Sequence, residues 1–69
     1  MSGAVYKLIE LTGTSSTSME DAVQSALSKA GESVRQMRWF EVIETRGTID
    51  NGKVGEWQVT VKVGFKIED

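Results

Sequence analysis

The sequence predicts an α+β fold: a β-α-β-β chain in which a three-stranded antiparallel sheet wraps one helix. Three observations carry this. The stretches from Arg38 to Gly47 and from Trp57 to Phe65 read as two strands apolar on one face. Between them stands Asn51-Gly52, the strongest two-residue hairpin signal, because a type I′ turn needs positive φ at both central positions. Ahead of them Met19, Ala22, Val23, Ala26, Leu27, Ala30 and Val34 recur at spacings of three and four, the period of a helix face. The 69 residues read as a single domain, 1-69.

Val5 to Thr12 is the first strand, carried by Val5, Tyr6, Leu8, Ile9 and Leu11. Both parities carry apolar residues, so both of its faces are expected to be covered. Gly13-Thr14-Ser15-Ser16 is expected to break it. The helix start is signalled twice, by Thr17 three before Glu20 and by Ser18 three before Asp21. Either pair suits a capping box, and both carboxylates suit the positive end of the helix dipole. Lys29 and Arg35 favour the C-terminal end. Gly31 costs about 1 kcal/mol relative to Ala inside a helix, so the last turns are expected to be loose.

A two-residue turn at Asn51-Gly52 pairs Asp50 with Lys53 and fixes the rest of the hairpin. Trp39 then faces Gly64, Phe40 faces Val63, and Val42 faces Val61. A one-residue slip sets Phe40 against Lys62, which hydrophobic matching disfavours. In this register Phe40, Val42, Trp57, Val59, Val61, Val63 and Phe65 share the face that should meet the helix. Trp39, Glu41, Ile43, Gln58, Thr60, Lys62, Gly64 and Lys66 lie on the other, with Gln58 across from Thr45 and Arg46 opposite in parity to Trp39. Gln58 is six residues from Gly64, roughly 20 Å along a strand. A β-α-β crossover makes the first two strands parallel in direction. The third fits between them, giving the order 1-3-2.

Size sets a further constraint. A chain this short buries only roughly 60% of the surface its unfolded form exposes, and such a core rarely supplies more than roughly 3–5 kcal/mol. With no Cys and no His, disulfides, thiolate sites and imidazole ligands or bases are excluded. Self-association is the remaining supplement. The net charge of −2 argues against a nucleic-acid partner. No apolar run approaches the ~20 residues of a membrane span, and no basic-then-apolar leader opens the sequence. A cytoplasmic protein is expected. Trp39 is the residue left over: a large aromatic on the face that the one helix does not cover, which needs something else to lie on it.

Taken together, Tyr6-Lys7 to Leu11, Gly13-Thr14-Ser15, Glu20-Asp21-Ala22-Val23-Gln24, Trp39-Phe40-Glu41-Val42, Glu44-Thr45-Arg46-Gly47, Asn51-Gly52-Lys53-Val54, Trp57-Gln58-Val59-Thr60 and Lys62-Val63-Gly64-Phe65 resemble the dodecins, small flavin-binding proteins. The resemblance covers nearly the whole chain. It implies a hollow homododecamer with cubic symmetry. It implies flavins bound in antiparallel pairs at two-fold axes, each ring between its mate and a Trp. The implied role is non-catalytic flavin storage and photoprotection, and some bacterial members also bind coenzyme A.

The chemistry of the matching residues agrees. Trp39 offers the broadest π surface to an isoalloxazine ring, and stacking of this kind is worth ~1–3 kcal/mol per nucleobase. The Gln58 amide has a donor end and an acceptor end to pair with the pyrimidine edge of a flavin. Arg46 matches the position that faces the flavin tail in bacterial members, and its forked donors suit a phosphate, which favours FMN over riboflavin, with FAD a further alternative. Lys66 stands where an Arg is common, keeping the charge but losing the fork. Thr48 stands where many members have His. Lys7 and Arg38 are expected at the pocket edge. For coenzyme A the matching positions are Tyr6, Lys29, Ser33 and Arg35. Plainer readings compete: Trp39 as an interface residue, Gln58 as a solvated surface amide, Arg46 as an ion pair with Glu44 or Glu56. Two other functions also compete. A flavin-dependent enzyme needs an open ring face, and a stacking-type nucleic-acid binder built on Trp39 and Tyr6 conflicts with the acidic balance.

Overall fold

The computed structural model describes residues 3–67; the ends of the expected domain, residues 1–2 and 68–69, lie outside the described residues. Its elements are β1 (Tyr6–Ser15), α1 (Met19–Ala30), β2 (Met37–Asp50) and β3 (Lys53–Lys66). The sheet order is β1-β3-β2, with β3 antiparallel to both neighbours, as the hairpin and crossover argument requires.

Gly13 does not break the first strand, which runs on to Ser15. The reason is close packing. A Cβ on Gly13 would overlap the Ala22 carbonyl oxygen and stand 2.9 Å from the Ala26 Cβ, so the missing side chain lets α1 settle onto the strand. Ser15, buried, then ties strand to helix. Its Oγ accepts from the backbone N–H of Thr17 (2.9 Å) and of Ser18 (3.3 Å), and donates to Asp21 Oδ2 (2.7 Å). Of the two start signals the Ser18–Asp21 pair is used: the Ser18 hydroxyl accepts from the Asp21 N–H at 3.0 Å. The helix ends at Ala30, capped by Gly31, so Val34 and Arg35 stand beyond it rather than in its last turns. Gln36, at φ 60, turns the chain into β2.

The hairpin forms as expected at Asn51 (φ 58) and Gly52 (φ 78), with Asp50 opposite Lys53. Trp39–Gly64, Phe40–Val63 and Val42–Val61 also pair as expected. Beyond Val42 the register departs from a regular ladder. Ile43 is an extra residue, so Glu44 pairs with Thr60, Thr45 with Val59 and Arg46 with Gln58. The expected Thr45–Gln58 pairing, and with it the placement of Arg46 opposite in parity to Trp39, is therefore corrected. The bulge turns Glu44 and Arg46 onto the face of Trp39, where Glu41 also lies. A compensating irregularity sets Gly55 and Glu56 against Thr48, whose Oγ1 accepts from the Glu56 N–H at 2.9 Å. Arg38 is a third extra residue, between the Met37 and Trp39 pairs.

The core is small. Val59, Val61 and Val63 are fully buried beneath Ala22 and Ala26, with Ile9, Leu11, Val23, Leu27, Met37 and Trp57 packed around them. Burial of each such Val is worth about 1.5–3 kcal/mol. Phe40 and Val42 lie on the helix side of the sheet but do not meet the helix as expected. α1 lies on β1 and β3, and β2 is exposed from Arg38 to Asp50. An open apolar groove of about 470 Å³ is left between Met19, Val23 and Leu27 of the helix and Phe40 and Val42 of β2. The outer face of β1 is uncovered as well, with Leu8 half exposed.

Because Gly13 sets the helix–strand distance, Gly13→Ala should destabilise the protein by about 1–3 kcal/mol, the usual cost of overpacking. Thermal unfolding at fixed protein concentration should show the melting temperature falling by several degrees; an unchanged value would mean that the helix stands off this strand.

Candidate functional site

The three strands present one continuous outer face, and the register orders it in rows. From one end these are Tyr6 with Lys66, then Leu8–Gly64–Trp39, Glu10–Lys62–Glu41, Thr12–Thr60–Glu44 and Thr14–Gln58–Arg46. The face thus passes from aromatic and apolar, through charged and hydroxyl rows, to an amide and a guanidinium.

At the apolar end the Trp39 indole lies over Gly64, and any Cβ there would fall inside the six-membered part of its ring. Tyr6 meets the indole edge-on, with ring centroids 5.0 Å apart and planes at 65°. Such pairs contribute roughly 0.5–1.5 kcal/mol beyond their burial. Trp39 is nevertheless 43% exposed: it is propped by Gly64 and Tyr6 without being buried. Arg38, beside it, lines a small apolar recess with Leu27, Met37 and Val63 and donates to Gln36 Oε1 at 2.9 Å.

At the polar end a chain of hydrogen bonds runs through four side chains. Arg46 Nη1 donates to Glu44 Oε1 (3.1 Å), Arg46 Nε donates to Gln58 Oε1 (2.6 Å), and Gln58 Nε2 donates to Glu56 Oε2 (3.2 Å). The ion pair is half exposed, at 53% and 56% for the two side chains, so its energetic worth is small, about 0–1 kcal/mol. Its effect is geometric. Next to it, Thr12 and Thr60 share a hydroxyl–hydroxyl bond of 2.8 Å.

The remaining expected residues fall elsewhere. Lys7 pairs with Phe65, on the helix side of the sheet. It shares a cleft of about 500 Å³ with Ser33, Arg35, Phe65 and Lys66 at the end of the sheet. Residues expected in two separate ligand sets, Lys7 and Lys66 in one, Ser33 and Arg35 in the other, therefore converge. Tyr6 joins Trp39 instead, and Lys29 pairs with Glu32 on the helix surface at 3.5 Å. The partners that sequence reasoning missed are Tyr6 as a prop for the indole and Glu56 as an anchor for the Gln58 amide. The signal for the latter was present in the i, i+2 spacing of Glu56 and Gln58, which puts both on one strand face. Among the described residues, no group of three or more Asp and Glu side chains is placed to hold a metal ion.

Comparison with known proteins agrees with this geometry. The family model described as Dodecin matches residues 5–68. The dodecin of Thermus thermophilus is 49% identical over 67 residues, covering 97% of both chains. The calcium dodecin of Mycobacterium tuberculosis is 36% identical over 64 residues, covering 93% of this chain and 90% of that one. The structure of dodecin from Streptomyces coelicolor superposes with a TM-score of 0.93 at 40% identity, covering 100% and 99% of the two chains. The chain belongs to the dodecin family of small flavin-binding proteins.

The seat of the indole is testable without any ligand. In Gly64→Ala the new methyl should push Trp39 off its seat, so its indole N–H resonance should shift while that of Trp57 holds. Two unmoved indole signals would place the ring away from Gly64.

Proposed function

We propose that this protein binds flavin without catalysing a reaction on it, storing it and protecting it from light within a hollow homododecamer. The observation that carries the reading is the propped and open indole of Trp39, a large π surface kept out of the core. An isoalloxazine ring stacked there buries two flat apolar faces together. The indole is also the side chain most easily oxidised, so it gives an excited flavin a fast electron-transfer route back to its ground state.

Trp39 and Gln58 share a face but stand roughly 20 Å apart by strand rise. One ring cannot reach both within a subunit. A two-fold axis through paired outer faces sets the amide end of one subunit toward the indole end of its mate. Two rings then fit the slot, each with an indole on one side and the other ring on its second side. With both faces covered, a ring has no open face for a substrate, which favours a binding protein over an enzyme. The uncovered groove beside Phe40 and Val42, with Ile49 and Val54 exposed on the hairpin, supplies the further apolar surface that assembly would bury.

FMN is the favoured flavin, with riboflavin and FAD the alternatives. Arg46 has five donors, of which Glu44 and Gln58 engage two, and the others are free to meet a phosphate. The cleft of Lys7, Ser33, Arg35 and Lys66 suits a second, phosphate-rich ligand such as coenzyme A. No helix among the described residues is long and apolar enough to cross a membrane, and the proposed setting is the cytoplasm.

Titrating the protein into FMN should quench flavin fluorescence, with saturation near one flavin per chain. Trp39→Ala should weaken binding by roughly 5- to 150-fold, the span of one lost stacking contact. Undiminished binding by the variant would discard the stacking model. Light scattering on the purified protein should give the mass of twelve chains; a monomer would remove the assembly and with it the two-fold slot.

A further inference from the structure

Resting on the flavin reading, we propose that Glu56 is a positioning residue: together with Arg46 it fixes the orientation of the Gln58 amide, so that the lone pair left over is held ready for the central N–H of the flavin pyrimidine ring. A primary amide has two lone pairs on oxygen and two N–H groups on nitrogen. Arg46 Nε takes one lone pair at 2.6 Å, and Glu56 Oε2 takes one N–H at 3.2 Å. Neither partner can exchange roles, because a guanidinium only donates and a carboxylate only accepts. Flipping Gln58 would set its NH₂ against the guanidinium and its oxygen against the carboxylate, losing both bonds and creating two like-signed contacts. One orientation survives.

What remains is one lone pair and one N–H, in a fixed order. Their complement is an adjacent N–H and C=O. The imide edge of a flavin offers a central N–H flanked by two carbonyls, and an amide that turns freely has to be ordered, at a cost in entropy, before it can pair with either half. An amide locked in one orientation accepts from the central N–H and donates to the carbonyl beside it. The pairing edge of the site is thereby ordered before the ligand arrives. Glu44 completes the device by holding the guanidinium from its far side at 3.1 Å.

The test compares lumiflavin, which has no ribityl tail or phosphate, with N3-methyl-lumiflavin, which lacks the central N–H. Affinities are measured by flavin fluorescence quenching. The wild-type protein should prefer lumiflavin by about fivefold or more, the worth of one net hydrogen bond. Gln58→Ala, which removes the amide, sets the floor of this discrimination. Glu56→Ala should bring the ratio at least half-way to that floor on a logarithmic scale, while quenching at saturation stays complete because Trp39 is intact. A ratio unchanged in Glu56→Ala would overturn the positioning role. Equal wild-type affinities for the two ligands would overturn it too, by removing Gln58 from the ring edge. Failure of the wild-type protein to quench lumiflavin at all would instead bring down the flavin reading on which it rests.

Discussion

A single helix of 12 residues, about 18 Å long, has to cover a hairpin whose strands of 14 residues extend about 46 Å. The mismatch leaves the chain elongated. Its radius of gyration is 14.4 Å, against about 11 Å for a compact domain of this length. The Gly13 contact settles which part of the sheet goes bare. By drawing α1 down onto β1, it commits the narrow Ala22–Ala26 stripe to the Val59–Val61–Val63 ridge of β3 and leaves β2 without cover. A stable protein of this size must then bury β2 against something other than itself. Such an edge strand also invites indiscriminate strand addition. The extra residues Arg38 and Ile43 interrupt its ladder and raise its twist, which favours burial through faces over growth along the edge.

The sequence made the topology legible because its strongest signals are local. Asn51-Gly52 permits one turn, which sets Asp50–Lys53 and Ile49–Val54; the two irregularities that follow cancel, so Val42–Val61, Phe40–Val63 and Trp39–Gly64 fall where a regular ladder puts them. Hydrophobic alternation then sorted the faces correctly for β3, which has a single irregularity near the turn. It sorted β2 incorrectly beyond Ile43, because a bulge changes parity by one while leaving composition untouched. Ile43 is a good strand residue and carries no mark of being extra. The lone sign was indirect: a regular ladder put Arg46 on the face away from Trp39, in conflict with its expected role. Gly13 was misread for the opposite reason. Its local signal was that of a breaker, but its role is tertiary, since the Ala22 carbonyl needs the space its Cβ would fill. The end of the helix, by contrast, was foreshadowed by the weakness at Gly31.

The candidate site divides in the same way. Trp39 and Gly64 were legible as a pair, because register alone places them together. The convergence of Lys7, Arg35 and Lys66 was not, because it depends on how the chain returns from α1 through Gln36 into β2, a path with no periodicity to read. The outer face consequently has an apolar, aromatic end and a polar end, while the remaining cationic cluster lies at the sheet end toward the helix side. The exposed aromatic surface and the main cationic cluster are thus held at different places, and the local balance at Arg46, flanked by Glu44 and Glu56, leaves little net positive field there.

An arginine at position 46 makes contacts that another cation would not. A guanidinium holds its donors in one plane, so the contact of Nε with Gln58 and that of Nη1 with Glu44 fix the direction of all the others. A lysine would supply the same charge through three rotating N–H groups on a flexible stem, and it could not hold the amide and the carboxylate while aiming a further donor outward. The parity change at Ile43 is what makes this geometry available. Without it the guanidinium would project toward the helix side of the sheet and Gln58 would face Thr45, a neighbour too short to orient it. One inserted residue in an exposed strand therefore joins a surface ion pair to the Gln58 amide and, through it, to Glu56 in a single hydrogen-bonded row.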